Sequence, residues 1–204
     1  REEGDLFAQV VILAEGVNSL LAKKAGLHRE ISPDQVALAV KEIICLPKEK
    51  IEDRFNLEDG EGTAIEMVGE CTKGQVGTGF IYTNRESLSV GVGILLQELV
   101  KSRLTPYDLI EGMKAHPLIR RLLAGGKTEE YAAHLIPEGG WSALPPLFAD
   151  GLMIAGDAAM LVNSVHREGS NMALTSGRLG YSSAGKPLMV YLERPQLSPS
   201  RLRS

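Results

Sequence analysis

The sequence lacks the residue patterns that build metal sites and the excess of positive charge that favours nucleic acid. Cysteine occurs twice in 204 residues, at Cys45 and Cys71, and this pair matches no metal-ligand spacing, so we expect two packed free thiols. The four histidines form no H-x-x-x-H pattern, and we predict no metal site. A net charge of −4 gives no electrostatic basis for a nucleic-acid partner, which usually needs a basic patch.

Long hydrophobic runs are absent as well. No apolar run approaches the roughly 18 residues that suggest a membrane span, and no signal peptide is recognisable. Together with the scarcity of cysteine, this predicts a soluble, cytoplasmic protein. Hydrophobic residues make up 44% of the chain, which is normal for a globular protein, and the length suits one or two small domains.

The most informative stretch that is present covers residues 151–178. Residues 152–155 form a short apolar run between glycines, which predicts a buried strand. Gly156 and Asp157 follow, where small residues let a ligand approach the backbone and a carboxylate can accept hydrogen bonds from hydroxyl groups. Residues 169–171 lead into a predicted helix, and a helix N-terminus favours an anionic or electron-rich group. The stretch therefore predicts a ligand cradle.

A second pattern of the same kind lies near the beginning of the chain. Residues 10–14 are apolar and predict a buried strand, which Glu15 and Gly16 follow directly. Residues 20–25 then predict a short helix that ends at Gly26, a suitable C-cap glycine. Alone, this pattern is also typical of an ordinary strand-to-helix turn.

The segment between these two patterns predicts a different architecture. A strand at 36–46 precedes a helix at 48–55, for which Pro47 suits the first turn. Short strands with short connections favour an antiparallel meander. The other elements predicted in this segment are strands at 63–68, 75–83, 87–95 and 130–136 and helices at 107–115 and 117–123.

These motifs resemble those of a flavoprotein family. G-D-A-A-M-L-V-N from Gly156, followed by H-R-E-G-S-N-M-A-L-T-S-G-R from His166, is similar to the second FAD-binding motif of the para-hydroxybenzoate hydroxylase and geranylgeranyl reductase type. Within that group it resembles most the FixC-type electron-transfer-flavoprotein:quinone oxidoreductases. The A-E-G motif resembles the group's central motif, which usually carries aspartate where Glu15 stands. Residues 61–66 and 131–140 extend the resemblance over about residues 5–179.

The resemblance implies FAD as cofactor and electron transfer from an electron-transfer flavoprotein to a quinone or a ferredoxin-like protein. Quinone delivery would involve a peripheral contact with the inner membrane. Asp157 would bind the ribityl hydroxyls, and residues 169–171 would face the pyrimidine side of the isoalloxazine ring. Because the flavin carries out the redox chemistry, no catalytic residue is predicted. The residues implied in cofactor binding are Glu15, Gly16, Gly156, Asp157, Ala158, Ala159, Arg167, Gly169, Ser170 and Asn171.

The implied fold is α/β, a partial Rossmann-like FAD/NAD(P)-binding domain with an inserted antiparallel sheet. Residues 1–30 and 146–180 would form the partial FAD-binding domain, residues 31–145 the inserted substrate or partner domain, and residues 181–204 an atypical, disordered tail. The G-x-G-x-x-G turn that binds the FAD diphosphate does not occur in this sequence, which predicts the C-terminal part of a longer protein.

Two other functions share the same motifs. A flavin-dependent prenyl reductase or monooxygenase would use the same cradle and differ in its substrate pocket. Without the diphosphate-binding half, the chain could instead be an inactive fragment or an interaction module.

Single residues near the cradle have competing interpretations. His134 lies in an apolar strand and is predicted to be a core histidine. Trp141 is predicted to serve packing, with stacking near the flavin as the alternative. Arg167 either directs positive charge to the cofactor or lies in a solvated loop.

Overall fold

The computed structural model of the chain describes residues 7–163 and 168–185. Its strands are β1 (Val11–Leu13), β2 (Val36–Cys45), β3 (Ala64–Met67), β4 (Gly77–Thr83), β5 (Ser87–Leu95), β6 (Lys127–Pro137), β7 (Phe148–Ala149) and β8 (Leu152–Ile154). Its α-helices are α1 (Leu20–Lys24), α2 (Lys48–Phe55), α3 (Leu96–Ser102), α4 (Pro106–Ala115), α5 (Pro117–Leu123) and α6 (Ser170–Gly185). The fold is thus mixed α/β, and the chain divides into two compact units, one of residues Val36–Ile136 and one of the residues on either side.

The unit of residues Val36–Ile136 is built on a five-stranded sheet in the order β3-β4-β5-β2-β6. The pairs β3/β4, β4/β5 and β5/β2 are antiparallel, which confirms the meander expected from the short connections. Alternate residues of the central strands point to one buried face, as in Val40, Val90 and Val92. Helix α4 packs its buried Leu109, Ile110 and Met113 into the same core, which therefore lies between sheet and helices.

One buried charge is tied into this core. Glu42 on β2 is 4% exposed, and its Oε2 accepts hydrogen bonds from Lys114 Nζ at 2.9 Å and from Thr128 Oγ1 at 3.0 Å. Burial opposes the charge on Lys114, but its hydrogen bonds to Glu111 and Glu42 raise the pKa of the ammonium above its ordinary value. The buried carboxylate is therefore paired, as a charge inside a core must be, and it links β2 to α4 and β6.

The other unit contains a three-stranded sheet in the order β1-β8-β7. β1 and β8 are parallel, with Leu13 opposite Ile154, and β7 pairs with β8 in the antiparallel sense. Leu13, Ala22 and Ile154 are buried in one apolar cluster, so the short helix α1 packs against this sheet. The apolar runs that predicted buried strands therefore form adjacent strands.

Helix α1 has an unusual cap at its N-terminus. Ser19 is the N-cap residue, yet none of the amides of α1, all of them described, donates to its hydroxyl. The carboxylate of Glu15 takes that place, because its Oε2 accepts from Leu21 N at 2.8 Å and its Oε1 from Ala22 N at 2.7 Å. A carboxylate at this position satisfies free amides and also interacts favourably with the helix dipole.

The structure departs from the sequence predictions in several places. Helix α3 and the two-residue strand β7 had not been predicted, because residues 96–102 follow a strand without a break and β7 is too short to show a period. His134 is exposed, so its prediction as a core histidine is wrong. Trp141 is 89% exposed, so its prediction as a packing residue is also wrong. Both errors arose because an apolar sequence context does not reveal which elements cover a strand or loop.

The last described helix also differs from expectation. Helix α6 continues through Gly180 to Gly185, so residues 181–185, which were assigned to the tail, are helical. Residues 186–204, the rest of the predicted tail, lie outside the described residues. Cys45 and Cys71 are free and half-buried, as expected for packed thiols. None of the helices in the described part of the chain is long and apolar enough to span a membrane.

A first prediction concerns the outer face of the five-stranded sheet. A Cβ at Gly91 would lie 2.5 Å from the carbonyl oxygen of Val40 and would overlap the ring of Phe80. A Cβ at Gly93, in contrast, would lie 3.6 Å from its nearest neighbour, the Cβ of Ala39. We expect Gly91→Ala to lower the free energy of unfolding by about 1–3 kcal/mol through overpacking. The matched Gly93→Ala should be neutral or stabilise by up to about 1 kcal/mol, because it restricts the unfolded chain. Urea unfolding followed by far-UV circular dichroism measures both, and equal values for the two variants would contradict this packing.

A second prediction concerns the cap of α1. In Glu15→Gln the amide group can offer only one acceptor oxygen, so one of the amides of Leu21 and Ala22 loses its partner. We expect the α1 peptide to exchange amide hydrogens several-fold faster, consistent with the roughly 1 kcal/mol that helix caps contribute. Glu30→Gln is the control, because Glu30 makes only an exposed ion pair with Lys23 at 3.1 Å. Hydrogen–deuterium exchange with mass spectrometry compares the two, and unchanged protection in Glu15→Gln would contradict the capping role.

Candidate functional site

The parallel pairing of β1 and β8 places two sequence motifs at the same edge of a sheet. Val11 pairs with Leu152 and Leu13 with Ile154, so both strands end at the same level. The turn with Glu15 and Gly16 leaves the end of β1, and the turn Gly156–Ala159 leaves the end of β8. The carboxyl ends of parallel strands are the usual place of ligand sites in α/β sheets. Motifs about 140 positions apart therefore belong to one candidate site, which we call the two-turn site.

The first turn presents an open backbone at Gly16. Its φ is +76°, a value that L side chains rarely adopt, and no described atom outside residues 15–17 lies within 4 Å of the place where its Cβ would be. The position thus leaves the backbone accessible. The neighbouring Glu15 carboxylate, in contrast, already accepts two amide hydrogen bonds from α1. In this structure Glu15 holds the turn against its helix, and its direct contact with a cofactor stays a prediction.

The second turn is a short 3₁₀ helix, Gly156–Ala159, held close to α6. Gly156 has φ +63°, and a Cβ on it would lie 3.3 Å from the Cβ of Ala173. The amide of Gly156 donates to Ser176 Oγ at 2.9 Å, and Ser176 Oγ donates to Ala173 O at 3.1 Å. Glycine is required here for both its conformation and its lack of a side chain, and Ser176 satisfies an amide that is buried.

Ser19 connects the first turn to the second. It is fully buried, and its Oγ lies 3.1 Å from Ala158 O, which is nearer than the local carbonyls of Val17 at 3.3 Å and Gly16 at 3.4 Å. Because a hydroxyl has one proton to donate, the contact with Ala158 is the best of the three. The side chain that would ordinarily cap α1 thus fastens the two turns together.

Asp157 faces the loop before α6. Its side chain is half-buried, and its Oδ1 lies 3.8 Å from the place where a Cβ of Gly169 would be. A side chain at Gly169 would therefore come into contact with the carboxylate. This arrangement brings together Asp157 and Gly169, which are twelve positions apart in the sequence.

Helix α6 begins beside this carboxylate. Ala173 N donates to Gly169 O at 2.8 Å, which is the first bond of the helix, and Asn171 Nδ2 donates to Glu168 Oε2 at 2.8 Å. Ser170 and Asn171 are exposed in the first turn of this 16-residue helix. The partial positive charge of such a terminus favours an electron-rich group nearby.

The predicted residues are accounted for as follows. The structure brings Gly16, Gly156, Asp157 and Gly169 together at one sheet edge, with the buried Ala158 and Ala159 behind them. His166 and Arg167 lie outside the described residues. Ser19 and Ser176 were missed, because a serine in a turn or helix carries no sequence signal of a distant partner. Within residues 7–163 and 168–185 there is no cluster of three or more histidine, cysteine or acidic side chains that could hold a metal ion.

Curated relatives match most of the chain. Protein FixC of Azorhizobium caulinodans is 54% identical over 179 residues, which is 88% of this chain and 41% of the relative. Protein FixC of Bradyrhizobium diazoefficiens is 50% identical over 185 residues, 91% of this chain and 42% of the relative. Protein FixC of Escherichia coli K12 is 41% identical and is covered to 46%, with 98% of this chain matched. The chain spans less than half the length of these relatives, and no protein-family model matches it.

Solved structures share the fold at low sequence identity. A geranylgeranyl bacteriochlorophyll reductase-like protein from Thermoplasma acidophilum has a TM-score of 0.71 and 18% identity, with 96% of this chain and 44% of that chain covered. The flavin-dependent brominase Bmp2 has a TM-score of 0.64 at 18% identity, with 96% and 46% covered. These likenesses establish the architecture, an incomplete Rossmann-like unit with a separate antiparallel sheet. Over 88% to 98% of its length the chain is 41% to 54% identical to proteins named FixC, and this sequence similarity supports the resemblance to the FixC-type family.

Proposed function

We propose that the two-turn site holds part of an FAD molecule and that the chain serves a flavin-dependent oxidoreductase. The observation that supports this most is the parallel pairing of β1 with β8, which brings the Gly16 turn and the Asp157 turn to one sheet edge. The similarity to proteins named FixC supports flavin chemistry rather than another nucleotide function.

The described residues fit such a cofactor in three respects. Gly16 leaves its backbone uncovered, since no described atom outside residues 15–17 lies within 4 Å of where a Cβ would be. Asp157 offers carboxylate oxygens that can accept hydrogen bonds from ribityl hydroxyls. The exposed first turn of α6, with Ser170 and Asn171, offers backbone amides and a positive dipole end for the electron-rich part of the ring. Arg167 would add a positive charge from the segment outside the described residues.

The finer proposal is electron transfer. FAD, when bound, accepts and passes on electrons, while the protein orients the ring and sets its potential. The dipole of α6 favours negative charge and would therefore stabilise reduced flavin. In the whole protein, electrons would come from an electron-transfer flavoprotein and leave to a quinone or a ferredoxin-like protein.

The test is FAD binding by the purified chain and by Asp157→Asn. We expect the wild-type chain to quench FAD fluorescence and to give the flavin band a visible circular dichroism signal. Asp157→Asn should weaken binding by roughly 10- to 150-fold, the factor that corresponds to about 1.5–3 kcal/mol for hydrogen bonds to a charged group. Asp150→Asn is the matched control, because Asp150 is exposed in the turn before β8, at the opposite end of that strand.

The outcomes of this FAD-binding test distinguish between the possible locations of the cofactor. Binding by wild type and Asp150→Asn, with loss in Asp157→Asn, supports the two-turn site. Equal binding by both variants would place the cofactor elsewhere. No binding by the wild-type chain would show that the chain is not an independent flavin-binding unit and would overturn the proposal for it.

A further inference from the structure

Two serine side chains hold the turn that carries Asp157 from opposite sides. On one side, Ser19 Oγ donates to Ala158 O at 3.1 Å, from a fully buried position at the start of α1. On the other side, Gly156 N donates to Ser176 Oγ at 2.9 Å, and Ser176 belongs to α6. Gly156 and Ala158 flank Asp157 directly, so both bonds act on its immediate neighbours in the chain.

The geometry points to a clamp, and we propose that Ser19 and Ser176 are positioning residues that set the orientation of the Asp157 carboxylate toward the cofactor. This inference rests on the proposed function. Neither serine need touch the ligand, because each acts through a backbone group of the turn. A short 3₁₀ turn has few internal hydrogen bonds, so outside partners decide how rigidly it is held.

The clamp uses Ser19 outside its ordinary capping role, whereas Ser176 adds a second bond to its local one. An N-cap serine usually accepts a hydrogen bond from an amide of its own helix, but here Glu15 accepts the amides of Leu21 and Ala22. The Ser19 hydroxyl accepts no amide of α1, and it donates its proton across to Ala158 O. Ser176 keeps a local bond to Ala173 O at 3.1 Å and uses its oxygen lone pairs for Gly156 N. Glu15 consequently supports the clamp indirectly, because it accepts the α1 amides that Ser19 does not cap.

The clamp also links three segments that are distant in the sequence. Ser19 joins the β1–α1 turn to the Gly156–Ala159 turn, and Ser176 joins the Gly156–Ala159 turn to α6. A shift of either neighbouring helix is therefore transmitted to the Asp157 turn. The orientation of the carboxylate depends on contacts that the cofactor itself does not make.

Ser19→Ala and Ser176→Ala test the clamp, with Ser102→Ala as the control. Ser102 Oγ also donates to a backbone carbonyl, that of Glu98 at 2.7 Å, but in α3 of the other unit. Without FAD, we expect the peptide that covers residues 152–163 to exchange amide hydrogens roughly 5- to 30-fold faster in the first two variants, as 1–2 kcal/mol allows. Unchanged exchange there would overturn the clamp whatever the flavin results are.

Measurements with FAD distinguish a role in positioning the Asp157 carboxylate from a role in stabilising the turn. With FAD, Ser19→Ala and Ser176→Ala should lose roughly tenfold in affinity and alter the visible circular dichroism of the bound flavin, whereas Ser102→Ala should match wild type. Ser176→Thr keeps the hydroxyl and should restore both signals. If affinity and flavin spectrum stay unchanged while exchange rises, the serines only stabilise the turn and the positioning claim fails. If the wild-type chain binds no FAD, both the proposed function and the positioning claim fail. The hydrogen-exchange measurement without FAD still tests whether the two serines hold the turn.

Discussion

The two-turn site depends on the parallel register between β1 and β8. Strands in parallel end at the same level only when their register is correct, and here Leu13 stands opposite Ile154. A slip by one residue would exchange the two faces of the strand and expose the apolar side chains that pack with Ala22. The apolar cluster beneath the sheet therefore specifies the register, and the register brings Gly16 and Asp157 together. In this unit, the packing of the core and the geometry of the candidate site therefore depend on the same strand register.

Because the two turns lie close together, the polar side chains of Ser19, Glu15 and Asp157 have different roles. Ser19 lies where a serine would normally cap α1, but the second turn is near enough for its hydroxyl to reach Ala158 O. The amides of α1 would then lack a partner, and Glu15 supplies one. A carboxylate in the first motif thus has a structural task, whereas the carboxylate in the second, Asp157, faces the loop before α6. Similar chemistry at the ends of adjacent strands need not mean a similar role.

The sequence predicted most of the regular elements, because short apolar runs, prolines and glycines act locally, whereas only the family resemblance assigned the two motifs to one domain. Strand β2 and helices α2 and α5 agree with prediction closely. Failures came where the outcome depends on distant partners. His134 lies in an apolar stretch and Trp141 is itself a large apolar residue, but both are exposed in the structure. Ser19 and Ser176 could not be identified as partners of the Asp157 turn, since their hydrogen bonds span 139 and 20 positions.

Ser19 combines requirements that few residues can meet together. Its backbone is left-handed, with φ 48° and ψ 41°, its side chain is fully buried, and its hydroxyl must donate. Glycine would suit the dihedral angles but lacks a donor, and asparagine tolerates them but is larger than the enclosed space. Threonine keeps the hydroxyl, but its branched Cβ opposes a left-handed backbone. The position should consequently tolerate very little variation among working relatives, although it lies in a turn, where sequences ordinarily drift most freely.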